Sequence, residues 1–267
     1  EFRKKFKSVY EVSGKMHLNL LVRLRFCITI ATAISYISSA YPKAFFRLRV
    51  PCYAKRFSMK ILITAGPTWV KIDEVRVLTT IFTGNTGLYL ANEFAKSGHQ
   101  VTLLVNPHCF CSHRNVTSVR IIPYRYFDEL KAAITGELRA RKYDAIIHSA
   151  AISDYVLKKT FQGKIPSGKK PLTLEFLPAG KIITTIRKLA PASTLIQFKL
   201  EAERRGLLAR AYESLRRNKS DYVVANAYCD LRSLYRAFLL DKDGGILLLD
   251  SKKALANALI AACRGRI

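Results

Sequence analysis

The stretch KILITAGPTWVKIDEVRVLTTIFTGNTGLYLANEFAK, residues 60–96, decides the fold. It opens with a short apolar run that ends in the turn Ala65–Thr68, which is typical of a buried strand followed by a loop. Two glycines then precede apolar residues at helical spacing over Leu88–Lys96, and Gly98 is placed to cap that helix. A second apolar run, Gln100–Val105, predicts the next strand. The order strand, helix, strand is that of a βαβ unit.

The same alternation runs through the rest of the sequence. Strands are expected at Val116–Ile122, Asp144–His148, Leu172–Phe176, Thr194–Leu200 and Asp221–Asn226, helices at Asp128–Arg141, Lys181–Leu189, Glu203–Asn218 and Lys252–Cys263, and a hairpin over Ala237–Leu249. This order predicts an α/β fold: a Rossmann-like, mostly parallel sheet with helices on both faces, in three αβα layers. Ligands of such sheets bind at the carboxyl ends of the strands.

The composition favours one packed domain. Of the 267 residues, 49% are hydrophobic and 24% charged, which argues against disorder. Lys and Arg outnumber Asp and Glu by 45 to 19, and the net charge of +26 favours nucleic acid, acidic membrane or phosphorylated metabolites without choosing among them. The six cysteines form no CxxC pair, so we expect reduced thiols in a cytoplasmic protein.

Residues 1–58 differ from the rest. They hold 12 Lys/Arg and two Asp/Glu, and Phe26–Ala40 (FCITIATAISYISSA) is apolar or small throughout. That run is shorter than the roughly 20 residues of a membrane span, although basic residues flank it as in a targeting segment. Three interpretations stand: a targeting or membrane-surface segment, an extension packed on the domain, or upstream read-through before a start at Met59. The sequence favours the last, because Met59 and Lys60 open a strand directly, and the domain is then 59–267.

Two loops of small residues are candidate ligand-binding elements. The first contains Gly66 and Gly84 and leads into a helix, whose start offers N–H groups and a positive dipole end to a phosphate. It matches neither GxGxxG nor the P-loop pattern, so turn glycines alone explain it equally well. In the second, Ser149–Ala151 would let a base or ribose approach, and Asp154 either binds a sugar or Mg²⁺ or caps a helix. Lys164 suits a polyphosphate or belongs to a solvated basic loop.

The run His108–His113 is a candidate metal cluster that we reject. It holds four soft ligands in six residues, but zinc usually takes ligand pairs from separated segments, and this spacing strains tetrahedral geometry. We therefore expect an incidental loop. His148 closes an apolar strand and is expected to be structural, and the sequence suggests no Ser-His-Asp or Cys-His arrangement.

Taken in order, these motifs resemble the phosphopantothenoylcysteine synthetase (phosphopantothenate–cysteine ligase) family, in its stand-alone bacterial form. The resemblance covers essentially all of residues 59–267 and is carried by ILITAGPTWVKIDEVRVLTTIFTGNTG (Ile61–Gly87), HSAAISDY (His148–Tyr155), Lys164-Ile165, Phe198-Lys199-Leu200, Arg217-Asn218 and Val224-Ala225-Asn226. The family joins 4′-phosphopantothenate to cysteine in coenzyme A synthesis through an acyl-nucleotide, with CTP or ATP as co-substrate. That chemistry needs no protein nucleophile, only neutralised charge and close placement of the reacting groups.

The resemblance also implies site residues and partners. Lys164, Arg76 and Thr80 would be catalytic. The nucleotide would lie near Gly66, Thr68, Gly84, Ser149, Ala150, Asp154, Lys164, Gly180, Lys181, Ile182, Ile183, Phe198 and Arg217, with Mg²⁺ at Asp154. The implied partners are 4′-phosphopantothenate, cysteine and a nucleoside triphosphate, in a cytoplasmic homodimer. No nucleic acid is implied, and no membrane unless residues 1–58 belong to the native protein.

This sequence departs from the family pattern at four positions. Thr80 stands where the family usually has an Asn that touches the acyl-nucleotide, and Glu213 lies where a lysine of the nucleotide site is expected. Gln197 replaces a glycine and Ala227 a common aspartate. A catalytically impaired nucleotide-binding homologue is therefore one alternative. A Rossmann-type NAD(P)-binding oxidoreductase is another, although Asn106 follows the second strand where that class predicts an acidic residue.

Overall fold

A computed structural model of the protein describes residues 58–112, 118–168, 171–231 and 235–265, without the side chains of residues 110–112 and 231. The interpretations of the N-terminal segment remain predictions, because residues 1–57 lie outside the described part. Of the helices within it, none is both long and apolar enough to span a bilayer.

The described residues form twelve strands and six helices, with a 3-10 helix at Pro107–Ser112. The strands are β1 (Lys60–Ala65), β2 (Val70–Lys71), β3 (Val77–Leu78), β4 (Gln100–Val105), β5 (Val119–Pro123), β6 (Ala145–His148), β7 (Tyr155–Leu157), β8 (Phe176–Pro178), β9 (Thr194–Glu201), β10 (Tyr222–Ala227), β11 (Ala237–Asp241) and β12 (Ile246–Leu249). The helices are α1 (Asn85–Lys96), α2 (Phe127–Ala140), α3 (Ile182–Leu189), α4 (Leu207–Asn218), α5 (Tyr228–Leu231) and α6 (Lys252–Cys263).

Eight of these strands form one sheet, in the order β12-β11-β10-β9-β6-β1-β4-β5. The strands from β5 to β10 along this order run parallel, and β11 and β12 add an antiparallel edge. β1 is central, since Ile63 pairs with Leu103 of β4 on one side and with Ile147 of β6 on the other. The predicted Rossmann-like, mostly parallel sheet is confirmed.

Alternate strand residues point into helical layers on the two faces of the sheet. On β1, Ile61 and Ile63 pack into the core formed with α1 and α6, whereas Leu62 packs with α2 and α3. Helix α4 covers β10 through Val223 and Ala225, on the face away from α1 and α6. A strand buried on both faces reads as a continuous apolar run, which is why the sequence predicted β1 and β4 correctly.

Two sequence predictions are wrong in position. Leu172–Phe176 is not a strand: the strand is β8, and it pairs with β7, which the sequence analysis missed. Helix α4 begins at Leu207 rather than at Glu203, because Gly206 precedes it in the left-handed conformation with φ 71°. The ribbons β2–β3 and β7–β8 have two or three residues in each strand, too few for a strand alternation to appear.

Candidate functional site

A cavity of about 380 Å³ opens at the carboxyl ends of β1, β6, β9 and β10, where a parallel sheet is expected to bind its ligand. Its lining joins the loop before α1, the loop after β6, the end of β9 and the start of α6. The lining residues are Gly66, Phe82, Thr83, Gly84, Asn85, Thr86, Gly87, Ser149, Ala150, Ala151, Phe198, Lys199, Leu200, Asn226, Tyr235 and Lys252. Five predicted nucleotide-binding residues are among them: Gly66, Gly84, Ser149, Ala150 and Phe198.

The first wall of the cavity is built on glycines that packing requires. Gly66 has φ 87° and Gly84 has φ 74°, and Gly84 is the N-cap of α1. A Cβ atom on Gly84 would lie 2.8 Å from the backbone nitrogen of Gly66, and one on Gly66 would lie 2.5 Å from the sulfur of Cys109. The buried hydroxyl of Tyr124 donates to the carbonyl oxygens of Ala65 (2.8 Å) and Gly66 (2.9 Å). These hydrogen bonds hold the turn in place.

Backbone hydrogen bonds tie the second wall to the first. The N–H of Ala151 donates to the carbonyl of Gly66 at 3.0 Å, and the N–H of Thr68 donates back to Ala151 at 3.2 Å. Ser149 donates its hydroxyl to the carbonyl of Thr64 at 2.6 Å. Thr68, a predicted nucleotide contact, is buried behind this wall, where its hydroxyl accepts from the N–H of Ser153 at 2.9 Å. The two loops therefore form one rigid cradle.

His148 supports the cradle as a neutral side chain. It is buried under Ser149, and burial lowers the pKa of its imidazole to about 4. Its Nδ1 is 3.0 Å from the hydroxyl of Thr64. An uncharged, fully packed ring agrees with the structural role that the sequence analysis gave it.

Arg76 and the backbone next to Lys164 meet at a buried carboxylate, that of Asp73. Burial by itself would raise the pKa of Asp73. The backbone N–H groups of Ile165, Val75 and Arg76, together with the Arg76 guanidinium at 2.5 Å, outweigh it and lower the pKa of that carboxyl to about 2. Arg76 also donates to the carbonyl of Ile165 at 3.2 Å. Arg76 is thus fixed at Asp73 and Lys164 is the next residue to Ile165, but neither of these two predicted catalytic residues lines the cavity.

Thr80, the third predicted catalytic residue, lies in the sequence between Arg76 and the cavity-lining segment that begins at Phe82. Its hydroxyl oxygen is buried and has no hydrogen-bond partner within the described part of the chain. Thr80 is not in the cavity lining.

The remaining predicted nucleotide contacts lie elsewhere. Asp154 and Lys181 are exposed and form an ion pair of 2.5 Å. The side chains of Ile182 and Ile183 are buried in the core, so only the backbone of these two residues could contact a ligand. Gly180 lines a second cavity, of about 390 Å³, beside Trp69 and Tyr126. Arg217 is exposed on the last turn of α4, with Glu213 at 3.7 Å. That helix runs from the carboxyl end of β9 to the amino end of β10, so the structure does not bring Arg217 to the first cavity.

Sequence reasoning missed several lining residues, above all Asn85, Tyr235 and Lys252. Asn85 is the first residue of α1, and its side-chain oxygen is buried without a partner among the described residues. Lys252 opens the closing helix, far along the chain from every motif of the first cradle. Asn85 belongs to the loop that the sequence analysis placed at the site, although it was not singled out there, whereas no local pattern around Lys252 marks it as a ligand contact.

A protein-built metal site is not evident. In residues 58–112, 118–168, 171–231 and 235–265, no group of three or more His, Cys, Asp or Glu side chains could hold an ion. Of the His108–His113 run, Cys109 is buried against the glycine turn, and the side chains from residue 110 onward fall outside the description. The carboxylate of Asp154, the predicted Mg²⁺ ligand, forms an ion pair with Lys181.

Residues 57–265 match the family described as DNA/pantothenate metabolism flavoprotein C-terminal domain. Among curated proteins, the chain is 35% identical over 170 residues to the coenzyme A biosynthesis bifunctional protein CoaBC of Thermococcus kodakarensis, which covers 62% of this chain and 41% of that protein. It is 31% identical over 180 residues to CoaBC of Methanocaldococcus jannaschii, which covers 64% and 41%. The chain therefore spans less than half the length of these relatives.

Solved structures share the architecture. The DNA/pantothenate metabolism flavoprotein from Streptococcus pneumoniae superposes with a TM-score of 0.70 at 24% identity, covering 79% of this chain and 100% of that one. A Cab2 mutant in complex with phosphopantothenate-cysteine superposes with a TM-score of 0.64 at 19% identity, covering 79% and 87%. At these identities the likeness concerns the fold.

Proposed function

The chain belongs to the family of the DNA/pantothenate metabolism flavoprotein C-terminal domain, and on that basis we propose that its domain, residues 59–267, is a phosphopantothenate–cysteine ligase of the cytoplasm. The observation that carries the proposal is the rigid cradle of small residues at the strand ends, with two helix starts in its wall and no carboxylate in its described lining. Such a cavity suits a nucleoside triphosphate. Family membership argues against the oxidoreductase alternative.

The proposed reaction has two steps. The carboxylate of 4′-phosphopantothenate attacks the α-phosphorus of CTP or ATP; the bond to the β-phosphate oxygen breaks and pyrophosphate leaves. The amine of cysteine then attacks the acyl carbon of the acyl-nucleotide, the nucleoside monophosphate leaves with the bonding electrons, and the amine gives up its proton. Neither step forms a bond to the protein, so the enzyme acts by positioning and by stabilising negative charge.

Different residues around the cradle would position the nucleotide and supply positive charge. Gly66, Gly84 and Ser149 leave room for the nucleotide to approach backbone donors, and Phe198, partly buried on β9, would contact the base or sugar. Arg76, bonded to Asp73, and Lys164, whose neighbour Ile165 donates its N–H to the same carboxylate, would supply positive charge to the reacting groups. Charged donors placed in advance cost no reorganisation when the reaction occurs.

Magnesium would bind at this site together with the nucleotide, mainly through the triphosphate oxygens. Mg²⁺ commonly binds triphosphate oxygens and only one or two protein carboxylates, so a larger acidic cluster is not needed. Asp154 would be that carboxylate by the family resemblance, although it lies outside the lining of the first cavity and is paired with Lys181. The ion would neutralise triphosphate charge.

A homodimer would cover the apolar surface beside Asp73. Val75 is 64% exposed, Ile81 73% and Tyr155 56%, and these residues lie in or next to the ribbons β2–β3 and β7–β8. Large apolar side chains grouped beside a site favour a protein interface. Sedimentation should show a dimer that Ile81→Glu dissociates and that Ile246→Glu, at the far edge strand, leaves intact. An unchanged dimer in the first variant would refute this interface.

The activity is tested with the full chain, 4′-phosphopantothenate, cysteine, Mg²⁺ and either CTP or ATP. Pyrophosphate should appear only when phosphopantothenate is present, and mass spectrometry should detect the amide product when cysteine is added. Absence of both products with both nucleotides would sink the ligase proposal.

One observation favours a second candidate, a homologue that binds and activates but ligates poorly. Thr80 replaces the usual Asn, is shorter, and has its hydroxyl buried rather than turned into the cavity. In that case pyrophosphate is released and hydroxylamine traps the acyl-nucleotide, but little amide forms with cysteine. Amide formation that keeps pace with pyrophosphate release would exclude this candidate.

A further inference from the structure

We propose that Lys252, the first residue of α6, binds the polyphosphate of the nucleotide. The inference rests on the proposed function, because it assumes that the cavity takes a nucleoside triphosphate. It assigns a role to a residue that the sequence motifs do not include.

Lys252 brings an uncompensated charge to the cavity. It lines the cavity and is partly buried, and within the described part of the chain its ammonium group has neither a hydrogen-bond nor an ion-pair partner. Lys199, the other charged residue of the lining, lies 3.1 Å from the carboxylate of Glu201. Lys252 is therefore the cation of this lining that has positive charge to offer a ligand.

The backbone around Lys252 favours an anion as well. It begins a helix of 12 residues with no acidic residue in the first turn, capped by Ser251, whose hydroxyl accepts from Ala254 at 3.1 Å. Helix α1, also 12 residues long and without acidic residues in its first turn, starts in the same cavity at Gly84. Two positive helix ends and one free ammonium group thus face a space whose described lining has no carboxylate.

The span of the cavity suits an elongated ligand that carries anionic groups. Gly66 follows β1 and Asn226 is the last but one residue of β10, three strand positions away in the sheet, which is about 14 Å. The ammonium group of Lys252 needs an acceptor, and the described lining offers no carboxylate to supply it. A nucleoside polyphosphate has the required length and carries such acceptors.

The test compares Lys252→Ala with Lys253→Ala in the full chain. Lys253 is the next residue of the same helix, carries the same charge and is exposed outside the cavity, so it controls for net charge and for helix stability. Calorimetry should show that Lys252→Ala weakens CTP or ATP binding about 10- to 100-fold, the loss expected for one charge-assisted hydrogen bond. The affinity for the corresponding monophosphate should fall much less, and Lys253→Ala should bind like the wild type.

The outcomes separate the inference from the proposed function. If the wild type binds neither triphosphate, the proposed function fails, and the inference with it. If the wild type binds and Lys252→Ala binds equally well, the inference alone is overturned. An equal loss for monophosphate and triphosphate also overturns it, because Lys252 would then contact the nucleoside end. Equal melting temperatures of the two variants establish that the alanine has not unfolded the helix.

Discussion

The substitution Gly87→Ala tests the packing of the cradle directly. Gly87 lies in the first turn of α1 with an ordinary helical backbone, so alanine by itself should favour the helix there. The added Cβ, however, would lie 2.5 Å from the Cβ of Ala65 and 2.9 Å from the hydroxyl oxygen of Ser149. Ala65 is completely buried at the end of the central strand and cannot move aside. The clash must therefore displace α1 or Ser149.

The magnitude follows from a matched substitution in another helix. Gly136 lies inside α2, and a Cβ there meets nothing within 4 Å, so Gly136→Ala should stabilise the fold by about 1 kcal/mol. Overpacking a filled site costs about 1–3 kcal/mol. With the same helical gain at both positions, Gly87→Ala should be less stable than Gly136→Ala by about 1–3 kcal/mol, and its triphosphate affinity should fall because Ser149 lines the cavity.

Urea unfolding of both variants and the wild type measures the difference, and calorimetry measures the affinity. If Gly87→Ala is stabilised as much as Gly136→Ala and binds nucleotide normally, then the close contact between α1, β1 and the loop after β6 is not present. The description of a rigid cradle would then fail.

Three further predictions concern the residues beside the cradle. Asp73 has a folded pKa of about 2, below its ordinary 3.8, so its contribution to stability is present above about pH 4 and is lost as the pH falls towards 2; Asp73→Asn should flatten that part of a stability curve from urea unfolding, and an unchanged slope would contradict the assignment. Lys164→Glu should abolish triphosphate binding in calorimetry, whereas the same charge reversal at exposed Lys159 should weaken it only slightly; equal effects would indicate a general electrostatic role. Thr80→Asn should raise the ratio of amide product to pyrophosphate, and a ratio that does not change would show that the threonine does not limit the second step.

The layered architecture was predictable because its signals are local and repeated. Each central strand is buried on both faces and therefore appears as an apolar run, and each helix shows its own amphipathic spacing. The strand expected at Leu172–Phe176 was wrong because β8 is three residues long and, among the described strands, pairs with β7 alone, some 20 residues earlier in the sequence. Pairing of that kind depends on the folded position of both segments, which periodicity does not report.

The cavity was predictable where one loop builds it and not where distant segments meet. Gly66, Gly84, Ser149 and Ala150 belong to loops that follow strands of the same sheet edge, so the strand order alone brings them together. Lys252 reaches the same cavity only because α6 packs beside α1 after the chain has formed its antiparallel edge. Nothing in the residues around it distinguishes it from Lys253, which points elsewhere.

Asp73 shows why a motif does not by itself tell which residue meets the ligand. The sequence places it three residues before Arg76 in the segment on which the resemblance rests, and a carboxylate there could be taken for a metal ligand or a base. The structure instead surrounds it with the N–H groups of Val75, Arg76 and Ile165 and with the Arg76 guanidinium. A carboxylate so occupied has little capacity left for a metal or a proton. It fixes the distance between Arg76 and the Lys164 loop, and the charge available to the reacting groups depends on that distance.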